Sequence, residues 1–331
     1  MGRTKLNKGA RAAKFKAIAG EGNRAKAVAT GDVQSEAVPI APTSEVVAAV
    51  ESLPAPGPAP QVAPPAALWR AADATVVGGA HLRANPPKPC QDAALADTLK
   101  RPLVVVADGA GSAAVSHLGA AAVVAGVRRL CRTLEGDLVK ILDAEPASPG
   151  MAETLSRKIV AHASGILDDL AEAHTRGSED FRCTLLVWLA GRQRAFWLKV
   201  GDGALVADLD GEAHCVGPSG KGEFANQTNF IGPRLDDSRW AWGELDATGL
   251  SGLAAMSDGA AERLVSGDGC RVSPAMSKLL RGVAEAQVGR REIFGLLAEA
   301  DFWKGTSGDD KSLALIARVA IPLRPELGPN K

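Results

Sequence analysis

Between residues 183 and 216 the chain passes through four strand-like segments whose connections are too short to hold a helix. Cys183-Thr-Leu-Leu-Val-Trp-Leu189 and Ala195-Phe-Trp-Leu-Lys-Val200 flank Gly191-Arg-Gln-Arg194. Ala204–Asp208 and Glu212–Val216 flank Asp210-Gly211. Asp-Gly between two such runs is a hairpin signal, because a tight hairpin turn needs residues that tolerate positive φ. A connection this short joins antiparallel strands only, since parallel neighbours need a long crossover. The central sheet structure is therefore antiparallel, and a doubly wound parallel sheet is excluded.

The rest of the pattern adds layers. Trp69–Gly78 alternates loosely and predicts a strand, Leu103–Ala107 a short buried one, and Trp240–Leu245, Gly252–Met256 and Ser312–Val319 three more. Helical spacing runs through Ser116–Leu134, Met151–His174, Ser273–Glu285 and Arg290–Ala300. Strands and long helices in this order predict an α+β domain in which each sheet hides one face on the other and one under helices. No internal repeat is present.

Residues 1–66 differ in kind. Basic residues dominate to Lys26, and Leu53–Pro65 is a Pro/Ala run, so the segment cannot bury enough apolar surface to offset chain entropy. It is expected to be a disordered tail, with its basic head either solvated or a tether. A folded domain is expected over 67–322, followed by a short tail, 323–331. Lysine plus arginine and aspartate plus glutamate number 38 each, and tyrosine is absent, so neither charge nor stacking rings favour a nucleic-acid partner. Five scattered cysteines without a C-x-x-C fit a reducing compartment. With no apolar run of membrane-spanning length and no signal peptide, a cytoplasmic location is expected, and no membrane partner.

Chemistry concentrates in aspartates beside apolar strands: Pro89-Cys-Gln-Asp-Ala93, Val106-Ala-Asp-Gly-Ala-Gly-Ser112, Met256-Ser-Asp-Gly-Ala260 and Gly308-Asp-Asp-Lys-Ser312. Carboxylates converging at strand ends repel one another unless a cation neutralises them, and hard divalent ions take such oxygen ligands. Any single Asp-Gly is usually a turn, and Asp210-Gly211 and Asp268-Gly269 read so.

The ordered set resembles the metal-dependent protein serine/threonine phosphatases of the protein phosphatase 2C-like family, in its divergent bacterial branch. The matches are Gly79-Ala-His81, Pro89-Cys-Gln-Asp92, Ala107-Asp-Gly-x-Gly-Ser112, Lys199-Val-Gly-Asp-Gly203, Ser257-Asp-Gly259 and Gly308-Asp-Asp310, spread over roughly Trp69 to Ala320. The resemblance implies a four-layer α-β-β-α sandwich of two antiparallel sheets. It implies two ions, Mn²⁺ or Mg²⁺, and leaves a third open. Asp108 would bridge the ions, the Gly109 carbonyl would complete one, and Asp258 with Asp309 (Asp310 in reserve) would hold the other. Asp92 would act through bound waters and Arg83 would contact phosphate. A metal-bridging hydroxide would hydrolyse phosphoserine or phosphothreonine in a phosphoprotein, with a kinase as a natural partner. The general acid that many members carry after the bridging Asp-Gly is Ala110 here. His81 reads as structural or as a proton donor, and Asp202 as a turn residue that supports the site through water. Asn226-Gln-Thr-Asn-Phe-Ile231 reads as a rim loop and Cys90 as a buried filler. The competing function is a catalytically weak regulatory or binding module. Oligomeric state is not legible.

Overall fold

The computed structural model describes residues 68–319, apart from 147, 219–227, 233–234, 268 and 270. The two expected tails, 1–66 and 323–331, together with Asn226, Gln227, Asp268 and Cys270, lie outside the described residues.

The chain opens with β1 (Trp69–Val76), the one-turn α1 (Gly79–Arg83), β2 (Asp92–Asp97) and β3 (Leu103–Asp108). Three helices follow, α2 (Ser116–Thr133), α3 (Glu135–Leu142) and α4 (Met151–His174). Then come β4 (Leu185–Ala190), β5 (Arg194–Val200), β6 (Ala204–Leu209), β7 (Glu212–Val216), β8 (Trp240–Asp246) and β9 (Leu250–Met256). The domain closes with α5 (Asp258–Leu264), α6 (Pro274–Ala284), α7 (Arg290–Ala298), α8 (Ala300–Trp303) and β10 (Lys311–Arg318). The strands form two five-stranded sheets, in the orders β1-β10-β9-β6-β7 and β2-β3-β4-β5-β8. Every pairing is antiparallel.

Alternation along the strands separates three apolar layers. Val104, Val106, Leu186, Trp188 and Ile316 pack between the two sheets. Their neighbours Leu103, Val105, Ala107, Leu185 and Val187 face the other way, against α2, α3 and α4. Leu313, Leu315 and Ala317 of β10 likewise lie beneath α5, α6 and α7. Trp188 carries a polar handle into the middle layer and satisfies it by donating Nε1–H to the Ala254 carbonyl at 3.0 Å, which ties one sheet to the other. The architecture is thus the expected α-β-β-α sandwich. The tight hairpin is also as expected, with Asp210 at φ 54° and Gly211 at φ 86°.

Several elements differ from the sequence expectation. β2 is a strand although Asp92-Ala-Ala-Leu-Ala-Asp97 holds no β-branched or aromatic residue, because pairing to β3 overrides its weak propensity. Ser257-Asp-Gly259 is not a simple turn. Ser257 is the N-cap of α5 and Asp258 is its first residue, where a carboxylate is favoured by the helix dipole. The short helices α1, α3 and α8 also escape a periodicity reading.

Candidate metal centre

The four aspartate segments meet at one edge of the sandwich. In the β2–β3 register Asp92 stands directly opposite Asp108. Like charges in that arrangement destabilise a sheet. Asp108 is clamped from the next strand: its amide donates to Thr184 Oγ1 at 2.9 Å, and its carbonyl accepts from the Thr184 amide at 2.8 Å. Gly109 follows where no side chain fits, since a Cβ there would come within 2.7 Å of Ser116 Cβ and 2.8 Å of the Gln91 carbonyl oxygen.

The paired aspartates before β10 have different surroundings. Asp310 is buried at 2% exposure, and its two carboxylate oxygens each accept a backbone amide, from Gly78 and from Gln91, both at 2.5 Å. His81 Nδ1 lies 2.9 Å from the same carboxylate. Asp309 is half exposed, and its Oδ1 accepts the Asp310 amide at 2.9 Å. His81 Nε2 approaches Asp309 at 3.7 Å. His81, Asp309 and Asp310 offer ligand atoms within 4.8 Å of one another. Each Asp310 oxygen accepts an amide, so that residue anchors the 78 and 91 loops, and Asp309 is the more exposed of the two. Gly259 seats α5 against this turn, where a Cβ would lie 2.2 Å from the Asp310 carbonyl oxygen.

The electrostatics are those of carboxylates crowded together by burial. Burial first, then the Asp310 charge, push the Asp92 carboxyl up to about 7. Burial and the neighbouring Asp202 and Asp309 push Asp258 up to about 6. Asp108 is raised well above the usual carboxylate range by burial and by Asp92, Asp258 and Asp309. Among the described residues no lysine or arginine pairs with Asp92, Asp108 or Asp258 at ion-pair distance. Asp92 Oδ2 is buried without a hydrogen-bond partner. An orphaned buried carboxylate oxygen amid three repelling carboxylates is what a hard cation would satisfy, so the residues present fit divalent ions.

Two contributors were not legible in the sequence. Lys311 is fully buried and donates from Nζ to the Gly259 carbonyl at 3.0 Å, with its ammonium 4.1 Å from the Trp303 ring centroid. It lies between the Asp309–Asp310 pair and the predicted strand, where nothing in the sequence marks a buried ammonium. Thr184 was likewise hidden inside an apolar run. Asp202 sits in the β5–β6 turn, where its charge bears on Asp258 and its Oδ2 accepts from Thr228 Oγ1 at 2.7 Å. A cleft of about 470 Å³ opens beside Asp258, lined also by Asp202, Lys199, Glu262 and Thr228. Arg83 is exposed on α1, its guanidinium against Gly79 and Gly308, apart from the Asp92–Asp108 pair. Ala110 is buried, and burial with the Asp310 and Asp92 charges raises the Cys90 thiol out of the reactive range.

Comparison with known proteins bears on the family and the fold. The sequence profile described as "Protein phosphatase 2C" matches residues 77–297. Serine/threonine-protein phosphatase 3 of Escherichia coli (strain K12) is 31% identical over 170 residues, covering 49% of this chain and 62% of that protein. The chain thus spans less than two thirds of the length of this curated relative. Among solved structures, a bacterial serine phosphatase superposes with a TM-score of 0.51 at 16% identity, covering 76% of this chain and 99% of the other. PppA, described as a key regulatory component of T6SS in Pseudomonas aeruginosa, gives 0.50 at 18% identity with the same coverage. The low identities make these matches evidence of fold alone.

Proposed function

Because the chain belongs to the protein phosphatase 2C family, we propose that it is an active metal-dependent phosphatase of phosphoserine and phosphothreonine in proteins. The observation that supports this most is Asp92 facing Asp108 across β2 and β3, with an Asp92 oxygen buried and unbonded. Asp108, the Gly109 carbonyl, Asp258 and Asp309 would hold two divalent ions, Mn²⁺ or Mg²⁺, and Asp92 would hold their waters. When bound, such ions lower the pKa of water towards neutrality and offset charge on a transferring phosphoryl group.

The chain's own residues do the positioning. Thr184 fixes the Asp108 backbone on both sides, which sets where its Cα–Cβ bond points. Asp310 and His81 brace the turn that carries Asp309. Arg83, exposed beside Gly308, is the cation proposed to meet the substrate phosphate, and its planar fork suits that contact. Ala110 offers no side-chain proton, so water would protonate the leaving serine or threonine oxygen. No covalent phosphoenzyme is needed, which agrees with a half-buried Cys90 whose thiol is raised out of the reactive range. The cleft beside Asp258 leaves room for the residues flanking the phosphorylated one.

The test is phosphate release from a phosphothreonine peptide with and without Mn²⁺, alongside Asp108→Asn. Manganese-dependent turnover that is lost in the variant supports the reading. A folded protein without turnover in any divalent ion would replace it with the regulatory-module function.

A further inference from the structure

A second cleft, of about 410 Å³, lies at the opposite end of the β1-β10-β9-β6-β7 sheet, beneath α6. It touches β9 at Ser251 and β10 at Arg318, whereas the aspartate cluster follows the far end of β9 and precedes the far end of β10. At about 3.3 Å per strand residue the two sites stand roughly 20 Å apart.

Three arginines line it: Arg70, Arg281 and Arg318. Arg70 donates one Nη1–H to the Ala284 carbonyl. The Arg318 guanidinium stacks 5.2 Å from the Trp69 ring centroid, and its Nε is buried without an acceptor. Burial, with no carboxylate to oppose it, holds Arg318 below its ordinary pKa. Two carboxylates share the lining, Asp208 and Glu285, but neither pairs with an arginine at ion-pair distance among the described residues. Asp208 Oδ1 is instead occupied by the Ser251 hydroxyl. The cleft is thus lined by guanidinium groups that no carboxylate pairs with among the described residues, and forked guanidinium donors match the oxygens of a phosphate. Leu280 and Ala284 supply an apolar wall, and the volume exceeds what a bare oxyanion fills.

We propose that this cleft binds a small phosphate monoester, its phosphate held by Arg281 and Arg318 and its organic group against Leu280 and Ala284. The site is independent of the aspartate cluster. Isothermal titration of the full-length, metal-free protein with glycerol 3-phosphate, and with inorganic phosphate, tests it. Expected is saturable binding of the ester, retained in Asp108→Asn. Arg281→Ala should weaken it by about tenfold, as loss of a charged hydrogen bond does. Arg281 is exposed, so that variant should fold normally; Arg318→Gln, checked by its melting curve, is the second probe. Absence of binding at millimolar ester overturns the proposal. So does binding that Asp108→Asn abolishes, or binding that neither arginine variant weakens.

Discussion

Adjacent aspartates 309 and 310 do opposite work. Asp310 is a buried acceptor for two amides from separate loops, and removing it leaves both donors without partners. Asp310→Ala should therefore lower stability by about 3 kcal/mol, read from chemical denaturation. Asp309→Ala removes a half-exposed side chain and should leave the metal-free melting temperature nearly unchanged, while reducing the rise that Mn²⁺ produces. The reverse pattern would exchange their roles. The sequence reading named the pair and preferred Asp309 through the family likeness; only the placement of the amides of Gly78 and Gln91 separates them physically. The carboxyl pKa values carry a second consequence at this scale. Asp92 and Asp258 rise to about 7 and about 6 in the fold from an ordinary 3.8. A raised carboxyl means the fold holds its protons more tightly than the unfolded chain. That contribution is complete below about pH 4 and is lost as pH climbs through 6 to 7. Metal-free protein should thus lose part of its stability over that window. Added Mn²⁺ should raise the melting temperature strongly near pH 8 and weakly near pH 5, where protons occupy the same oxygens.

At the level of elements, the aspartates were legible because each borders an apolar run, but the elements that carry two of them were not. β2 is a strand by partnership and α5 a helix by capping, neither of which leaves a periodic trace in six or seven residues. The long helices and the hairpins were legible because their patterns extend over many residues. Helix α2 also matters to the site through one small residue. A Cβ on Gly119 would lie 1.8 Å from the Phe181 carbonyl oxygen, just upstream of Thr184. Gly119→Ala should push that segment away from α2, cost about 2 kcal/mol, and weaken Mn²⁺ binding by displacing the Thr184 clamp on Asp108. A variant as stable and as metal-responsive as the parent would show that the clamp tolerates the shift.

For the molecule as a whole, the proposed ions link distant parts of one chain. Asp92 and Asp108 come from β2 and β3 of one sheet, whereas Asp258 opens α5 just after β9 and Asp309 lies just before β10 of the other. A cation bound only by the folded state adds about 2.7 kcal/mol when present at one hundred times its dissociation constant. Chelation should lower the melting temperature of the whole domain in one transition, and Asp108→Asn should be insensitive to chelator. Among the described residues no helix is long and apolar enough to cross a membrane.

The place of β10 in its sheet has a further consequence for the order of events during synthesis. It lies between β1 and β9, pairing the first strand of the domain with a strand formed some 180 residues later, and it directly follows the turn that bears Asp309 and Asp310. On a ribosome, β1 waits unpaired until residues 311–318 have emerged, because among the described residues β10 is its one neighbour in the sheet. A nascent chain stopped just short of that strand has every aspartate of the cluster but no β10 to join β1 to β9. The strand that joins β1 to β9 is therefore also the one that fixes the Asp309–Asp310 turn beside the other aspartates.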